Sequence, residues 1–214
     1  MTETYLIIIF CVVAYLLGSI PSAVWIGKIF FKKDVRKYGS GNAGATNTFR
    51  VLGVKAGIVV LAMDVSKGAF AAYLPHYIST VPTDEYRFVN IQLLFGFLAV
   101  LGHLLPVFAN FKGGKGIATL FGMILSIHYW PALACLGVFI LVLLATRYVS
   151  LGSLLAGLSF PIIVLVLKYH EPLFVAFAIT AAALVILTHR KNITKLVEGT
   201  ENKANIFKKK QSSN

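Results

Sequence analysis

Acidic side chains are scarce in this chain. Eight Asp and Glu stand against 20 Lys and Arg among 214 residues. The three aspartates, Asp34, Asp64 and Asp84, lie far apart, which argues against a metal held by clustered carboxylates. Cysteine is nearly absent. Cys11 and Cys135 each sit alone in an apolar run, with neither metal spacing nor a disulfide framework, and read as small packing residues. The start, Met1-Thr2-Glu3-Thr4, lacks the basic region of a secretory signal, and no clear cleavage site follows the apolar run. The first segment is therefore expected to stay as a span. No internal repeat is visible. Charged residues of both signs make up only 13% of the chain, whereas 57% is hydrophobic. A soluble domain of this length cannot hide that much apolar side chain.

The apolar residues fall in runs, and the bilayer core sets the length of each, giving about seven spans. They are expected near 5–31, 54–78, 88–108, 117–130, 132–147, 151–168 and 172–188. The fourth and fifth are separated at His128-Tyr129-Trp130-Pro131, read as an interfacial turn. The net charge of +12 reflects topology and is no nucleic-acid signal. Lys28, Lys32, Lys33, Arg36, Lys37, Arg50, Lys55, Lys112, Lys115 and Arg147 fall at alternate span ends, and seven more basic residues from Arg190 to Lys210 follow the last span. By the positive-inside rule the N-terminus lies outside and the C-terminus in the cytoplasm. The expected fold is an all-α polytopic transmembrane helix bundle. One membrane domain covers 1–201, followed by a polar basic tail over 202–214 that can lie against anionic headgroups.

Three polar stretches share the expected cytoplasmic edge. The first is Ser40-Gly41-Asn42-Ala43-Gly44-Ala45-Thr46-Asn47, closed by Arg50. The second is Lys112-Gly113-Gly114-Lys115-Gly116, followed by Ile117-Ala118-Thr119. The third is His189-Arg190-Lys191-Asn192. Glycine lets backbone N–H groups approach an anion, a helix N-terminus adds its dipole, and Arg and Lys supply charge. Arg147, Ser150 and Ser153 cluster at a further inside edge. Such loops suit phosphate, at the margin of a membrane.

Better-known phosphate motifs do not fit. Gly39, Gly41 and Gly44 match a dinucleotide pattern, but no strand precedes them. Gly114-Lys115 resembles the end of a P-loop, yet Gly116 stands where a magnesium-binding hydroxyl belongs. Asn192-Ile193-Thr194 is a glycosylation sequon on the wrong side for use. Asp64 and Lys67 share a helix face within a span and should face the interior, either as a structural ion pair or as the border of a site. Gly53 and Gly57 form G-x-x-x-G, a helix-packing signature. His103 near the inner end of the third span is a candidate base, whereas His76, His128 and His170 lie near outside loops.

Taken in order along the chain, these motifs resemble the bacterial acyl-phosphate:glycerol-3-phosphate acyltransferase family. The resemblance runs from Gly18-Ser19-Ile20-Pro21-Ser22 through the stretch 39–50, Asp64, Lys67-Gly68, Gly102-His103, Pro106, Phe108 and 111–119. It continues with Arg147-Tyr148-Val149-Ser150-Leu151, His189-Arg190-Lys191-Asn192-Ile193, Gly199-Thr200-Glu201 and Lys203. Lys195 stands where the family often has Arg. The resemblance implies a seven-span enzyme of the bacterial inner membrane with a cytoplasmic active site. It would move a fatty acyl group from acyl phosphate to the first hydroxyl of glycerol-3-phosphate, giving lysophosphatidic acid and inorganic phosphate. Neither cofactor nor metal is implied, and no nucleic-acid partner.

On that reading Ser40, Arg50 and Lys115 form a phosphate clamp, with His103 and His189 as candidate proton carriers. Asn42, Gly44, Thr46, Asn47, Lys67, Lys112, Gly113, Gly114, Gly116, Thr119, Arg147, Ser150, Arg190 and Asn192 contact substrate. The His-four-residues-Asp pair of acyl-CoA acyltransferases is missing: Val81, Phe108, Leu133, Val175 and Thr194 stand five positions after the histidines. The donor phosphate is then expected to take the hydroxyl proton itself. A carrier for organic phosphates is the rival class, disfavoured by the lack of inverted repeats and by motifs gathered at one face. A phosphotransferase of the CDP-alcohol type is disfavoured by the scattered aspartates.

Overall fold

Apolar runs inserted in lipid must satisfy their own backbone polar groups, and helices do so segment by segment. The computed structural model describes residues 3–78 and 86–204, all helix and connecting turns with no strand. The expected outside loop through residue 85, with Asp84 and Glu85, lies outside the described residues, as do 205–214 of the tail. The helices are α1 (Glu3–Gly18), α2 (Ser22–Phe31), α3 (Ala45–Leu52), α4 (Val54–Tyr73), α5 (Tyr86–Leu104), α6 (Ile117–Ile127), α7 (Tyr129–Thr146), α8 (Val149–Val166) and α9 (Pro172–Val197). Five of them, α4, α5, α7, α8 and α9, are long and apolar enough to cross a membrane. The α1–α2 pair makes a sixth if counted as one broken span.

The expected first span is not continuous. It bends by 46° between α1 and α2, because Pro21 has no N–H to continue the ladder. A Cβ on Gly18 would strike the Ala99 carbonyl, and one on Gly102 the Tyr15 carbonyl, so α1 and α5 meet backbone to backbone beside the break. The fourth expected span is cut short. α6 has 11 residues, about 16 Å of helix against a hydrocarbon core of about 30 Å. It lies tight on α4, where Gly68 faces the Thr119 carbonyl and Gly122 the Val65 carbonyl with no space for a side chain.

Other boundaries also move. The turn expected over 128–131 is a single extended residue, His128, and α7 begins at Tyr129. Pro131 falls in its first turn, where a missing N–H costs nothing. The loop expected over 32–53 contains α3, whose Phe49 ring fills the space over Gly57. Half of the G-x-x-x-G motif thus packs a neighbour, while Gly53, at φ +89, turns the chain between α3 and α4. The last helix runs past Thr188 to Val197, so His189, Arg190 and Asn192 are helical. Cys11 and Cys135 are free thiols, partly buried among apolar neighbours. The main core joins α5, α6, α8 and α9 through Val100, Met123, Val164, Phe174 and Val185.

Candidate active site

The first glycine loop is built around two side chains. Asp34 caps a single 3-10 turn by accepting the Arg36 amide at 3.1 Å, and it grips the Arg36 guanidinium at 3.0 and 2.7 Å. That hydrogen-bonded guanidinium holds the Asp34 carboxyl down to about 2. Arg36 also donates to the Ala109 carbonyl at 3.2 Å, tying this loop to the second one. Asn47, 1% exposed, donates to the carbonyls of Val35 at 2.9 Å and Tyr38 at 3.1 Å. Its oxygen accepts the Ser40 amide at 2.9 Å. Every polar atom of Asn47 that the loop can use is thereby consumed, so its geometry makes it a loop fastener and not the free substrate ligand expected from sequence. Thr48, not singled out in the sequence, donates to the Gly44 carbonyl. The Ser40, Thr46 and Arg50 side chains are exposed and make no hydrogen bond to the described residues. The Asn42 oxygen is buried and unpartnered among them.

The second loop folds over the end of α5. The Gly114 amide donates to the His103 carbonyl at 3.2 Å. A Cβ on Gly113 would collide with that same carbonyl, and one on Gly114 would collide with the His103 ring and come 3.2 Å from the Ala43 carbonyl. The two glycine loops therefore meet above His103. Gly116, at φ +80, turns the chain into α6. The Thr119 hydroxyl in its first turn is fully buried with no partner among the described residues. Lys112 is exposed.

Beneath the loops lies a buried charge cluster. Asp64 Oδ1 accepts from Ser22 Oγ at 2.9 Å and from Lys67 Nζ at 2.9 Å. His103 Nδ1 lies 3.6 Å from the same oxygen. Lys67 also donates to the Ile20 carbonyl at the helix break at 3.1 Å, an oxygen that accepts the Ser22 amide as well. Asp64, Lys67 and His103 are 1%, 5% and 6% exposed, so paired charge is the arrangement burial demands. A small cavity is lined by this cluster and by Pro21, Ala43, Gly113 and Gly114. Ser22 and Asp64 are site residues that the sequence reading did not name as ligands. The available signals were an acidic group inside an apolar run and the Pro21 break.

A second polar group flanks the loops. Lys115 Nζ donates to Asn192 Oδ1 at 2.5 Å, and Asn192 donates to Glu201 Oε2 at 3.0 Å. Burial pushes the Lys115 ammonium down to about 8, helped by Lys195 and opposed by Glu201. His189, 2% exposed, directs Nδ1 to the Val185 carbonyl at 2.9 Å and lies within electrostatic reach of Lys115. Arg190 on the same turn is exposed. The chain beyond α9 returns to the α7–α8 turn: the Ala204 amide donates to the Arg147 carbonyl at 2.7 Å, and the Lys203 ammonium sits 5.4 Å from the centre of the Tyr148 ring. Residues 202–204, expected as the start of the polar basic tail, instead run back along the protein to the α7–α8 turn. Arg147 itself is exposed, and the Ser150 hydroxyl is buried and unpartnered among the described residues.

Glycine amides, cations and hydroxyls without a partner among the described residues gather at one edge of an apolar helical bundle. Fold and site together define an integral membrane protein equipped for a phosphorylated substrate. Comparison with known proteins narrows the class. Residues 8–199 match the family model for glycerol-3-phosphate acyltransferase. The chain is 44% identical over 192 residues to glycerol-3-phosphate acyltransferase 2 of Bacillus anthracis, covering 90% of this chain and 96% of that one. It is 45% identical over 199 residues to a glycerol-3-phosphate acyltransferase of Listeria monocytogenes, covering 92% and 96%. Among solved structures, PlsY (YgiH), an integral membrane glycerol 3-phosphate acyltransferase, superposes in its glycerol 3-phosphate form with a TM-score of 0.82 at 38% identity, covering 93% of this chain and 96% of that one. Its lysophosphatidic acid form gives 0.79 at 38% identity, with 92% and 94% covered. The chain belongs to the glycerol-3-phosphate acyltransferase family, enzymes of phospholipid biosynthesis.

Proposed function

We propose that this chain transfers a fatty acyl group from acyl phosphate to the sn-1 hydroxyl of glycerol-3-phosphate, releasing lysophosphatidic acid and inorganic phosphate. The observation that carries the reading is the meeting of the two glycine loops over His103, with Lys115 and Asn192 beside them. Two phosphorylated substrates must be held close together, and this edge supplies donors for both. Ser40, Arg50, Lys112 and Arg190 reach from the exposed rim, and Asn42, Thr119 and Ser150 offer buried polar atoms. Lys115 supplies charge at the centre. Arg147 stands at the turn where the returning chain docks.

Acyl phosphate already carries a good leaving group, so the protein's task is alignment and charge stabilisation. The hydroxyl oxygen bonds to the carbonyl carbon, the carbon–oxygen bond to phosphate breaks, and the proton leaves on the phosphate. His103 is engaged by Asp64 and covered by Gly114, and His189 bonds its own helix, so both are positioned as scaffold. Replacing His103 and His189 together by Gln should leave single-turnover rates within about tenfold once substrates saturate. A loss of about 10²–10³ with intact binding, the size expected for a general base, would instead assign the proton to a histidine.

In the bilayer the chain makes seven spans, with the α1–α2 pair as one and α6 as a short one. The N-terminus is outside, and the site faces the cytoplasm of a bacterial inner membrane. The support is the concentration of Lys and Arg on the loop edge. Residues 1–201 form one membrane domain, with the basic tail behind it. The deciding assay uses purified protein, chelator, labelled glycerol-3-phosphate and either acyl phosphate or acyl-CoA. Lysophosphatidic acid is expected from acyl phosphate alone. Equal product from acyl-CoA, or movement of glycerol-3-phosphate across a vesicle without product, would overturn the reading.

A further inference from the structure

Lys67 stands at a junction that neither glycine loop accounts for. Its side chain lines two spaces at once. One is the small cavity under the loops, where Ser22 and His103 also contribute to the lining. The other is a groove of about 200 Å³ walled by Leu17, Met63, Ser66 and Phe70. Ile20, Ser22 and Lys67 belong to both walls, so the α1–α2 break and one ammonium stand between an apolar groove and the cavity beside His103. Ser66 and Phe70 are exposed on α4, a helix long and apolar enough to cross a membrane, so the groove opens on the outer surface of the bundle.

The ammonium is fixed in place. It has three donor directions. Two are used, toward Asp64 Oδ1 at 2.9 Å and the Ile20 carbonyl at 3.1 Å. Ser22 and His103 hold the same Asp64 oxygen, so the carboxylate cannot swing away without breaking further contacts. A structural pair would be satisfied by one partner and would have no reason to line a groove open at the bundle surface.

We infer that Lys67 receives the carbonyl oxygen of the acyl donor, whose fatty chain lies in the Leu17–Met63–Ser66–Phe70 groove and whose phosphate reaches toward Gly113 and Gly114. A fatty chain is the occupant because the groove is apolar, opens on the outer surface of the bundle and ends on a buried cation that also lines the cavity under the glycine loops. The inference rests on the acyl-phosphate reading above and deepens it. As the glycerol hydroxyl oxygen bonds to the carbonyl carbon, an electron pair moves onto the carbonyl oxygen facing Lys67. The pair returns as the bond to phosphate breaks, and the hydroxyl proton leaves with the phosphate. Charge is present on that oxygen only between reactant and product, so a fixed ammonium there favours the transition state over the bound substrate.

Two measurements test this. Ser66→Cys, in a chain also carrying Cys11→Ala and Cys135→Ala and reconstituted in nanodiscs, gives one thiol in the groove. Palmitoyl lysophosphatidic acid should slow its alkylation roughly tenfold, the effect of about 90% occupancy, while glycerol-3-phosphate leaves it unchanged. Lys67→Met should lower kcat with acyl phosphate by about 10²–10³ while the KM for glycerol-3-phosphate stays within about threefold. Absent protection overturns the groove assignment. A folded Lys67→Met that keeps its kcat, or loses only glycerol-3-phosphate affinity, overturns the role of Lys67. If Lys67→Met does not fold, Asp64→Leu with Lys67→Met, which removes both buried charges, carries the kcat test, and an unchanged kcat there overturns the role of Lys67. Failure of the acyl-phosphate reading looks different: the unaltered protein then makes no product, whereas protection is read without turnover.

Discussion

In the proposed site, Lys115 is the side chain whose protonation bears most directly on anion binding. Its ammonium titrates at about 8, well below the ordinary 10.5, chiefly through burial. Above pH 8 the neutral amine attracts phosphate poorly, so the free-enzyme kcat/KM for glycerol-3-phosphate should fall about tenfold per pH unit. Lys115→Arg should flatten that fall because guanidinium stays charged, and Lys115→Ala should abolish most turnover at every pH. The sign for stability is opposite. Between pH 8 and 10.5 the unfolded lysine still holds its proton while the folded one has released it, so this group's contribution to stability rises with pH across the window where activity falls. A pH–rate profile beside a thermal melt in detergent checks both. Asp64 behaves differently. Asp64→Leu leaves Lys67 buried without its counter-ion and should cost about 3–5 kcal/mol, whereas Asp64→Leu with Lys67→Met should recover much of that loss. Melting temperatures of the single and double variants make the comparison.

Among the elements, the second glycine loop is the least tolerant of added volume. Gly114→Ala must push the His103 ring aside, and it also crowds the Ala43 carbonyl. A strain of about 1–3 kcal/mol corresponds to roughly 5–150-fold in kcat/KM for glycerol-3-phosphate, with the bundle still folded. The loops themselves were legible in the sequence because glycine and lysine between apolar runs have few other uses there. The Asp64–Lys67 pair was legible because helix spacing put both on one face. Which atoms meet was not. Asn47 reads like a ligand, yet its carboxamide is spent on Val35, Tyr38 and the Ser40 amide, a closure that depends on the path of residues 35–40. The extension of α9 to Val197 was hidden because His189, Arg190, Lys191 and Asn192 look like a span end by polarity, while helix geometry continues through them at little cost. The α1–α2 break was legible at Pro21, because a proline inside an apolar run bends or ends the span, although the apolar side chains on both sides leave no trace of it in hydropathy.

For the whole molecule, the apolar count gave a helical membrane bundle directly, and only the manner of crossing needed coordinates. Sidedness has a direct test. A single thiol at Ser40→Cys should react with an impermeant maleimide only from the cytoplasmic side of oriented vesicles, and one at Tyr129→Cys only from the other side. Reaction of both from one side would require a different path for α6 and α7. The reach of α6 carries a consequence for the surrounding lipid. On the proposed seven-span path, eleven residues leave about 14 Å of an ordinary hydrocarbon core without helix at that position. Leaflets must pinch inward there or admit solvent, and either response carries headgroups and aqueous solute deeper than elsewhere around the protein. Turnover should therefore respond to the thickness of the host bilayer, being fastest in short-chain lipids that already match α6 and declining as the host chains lengthen.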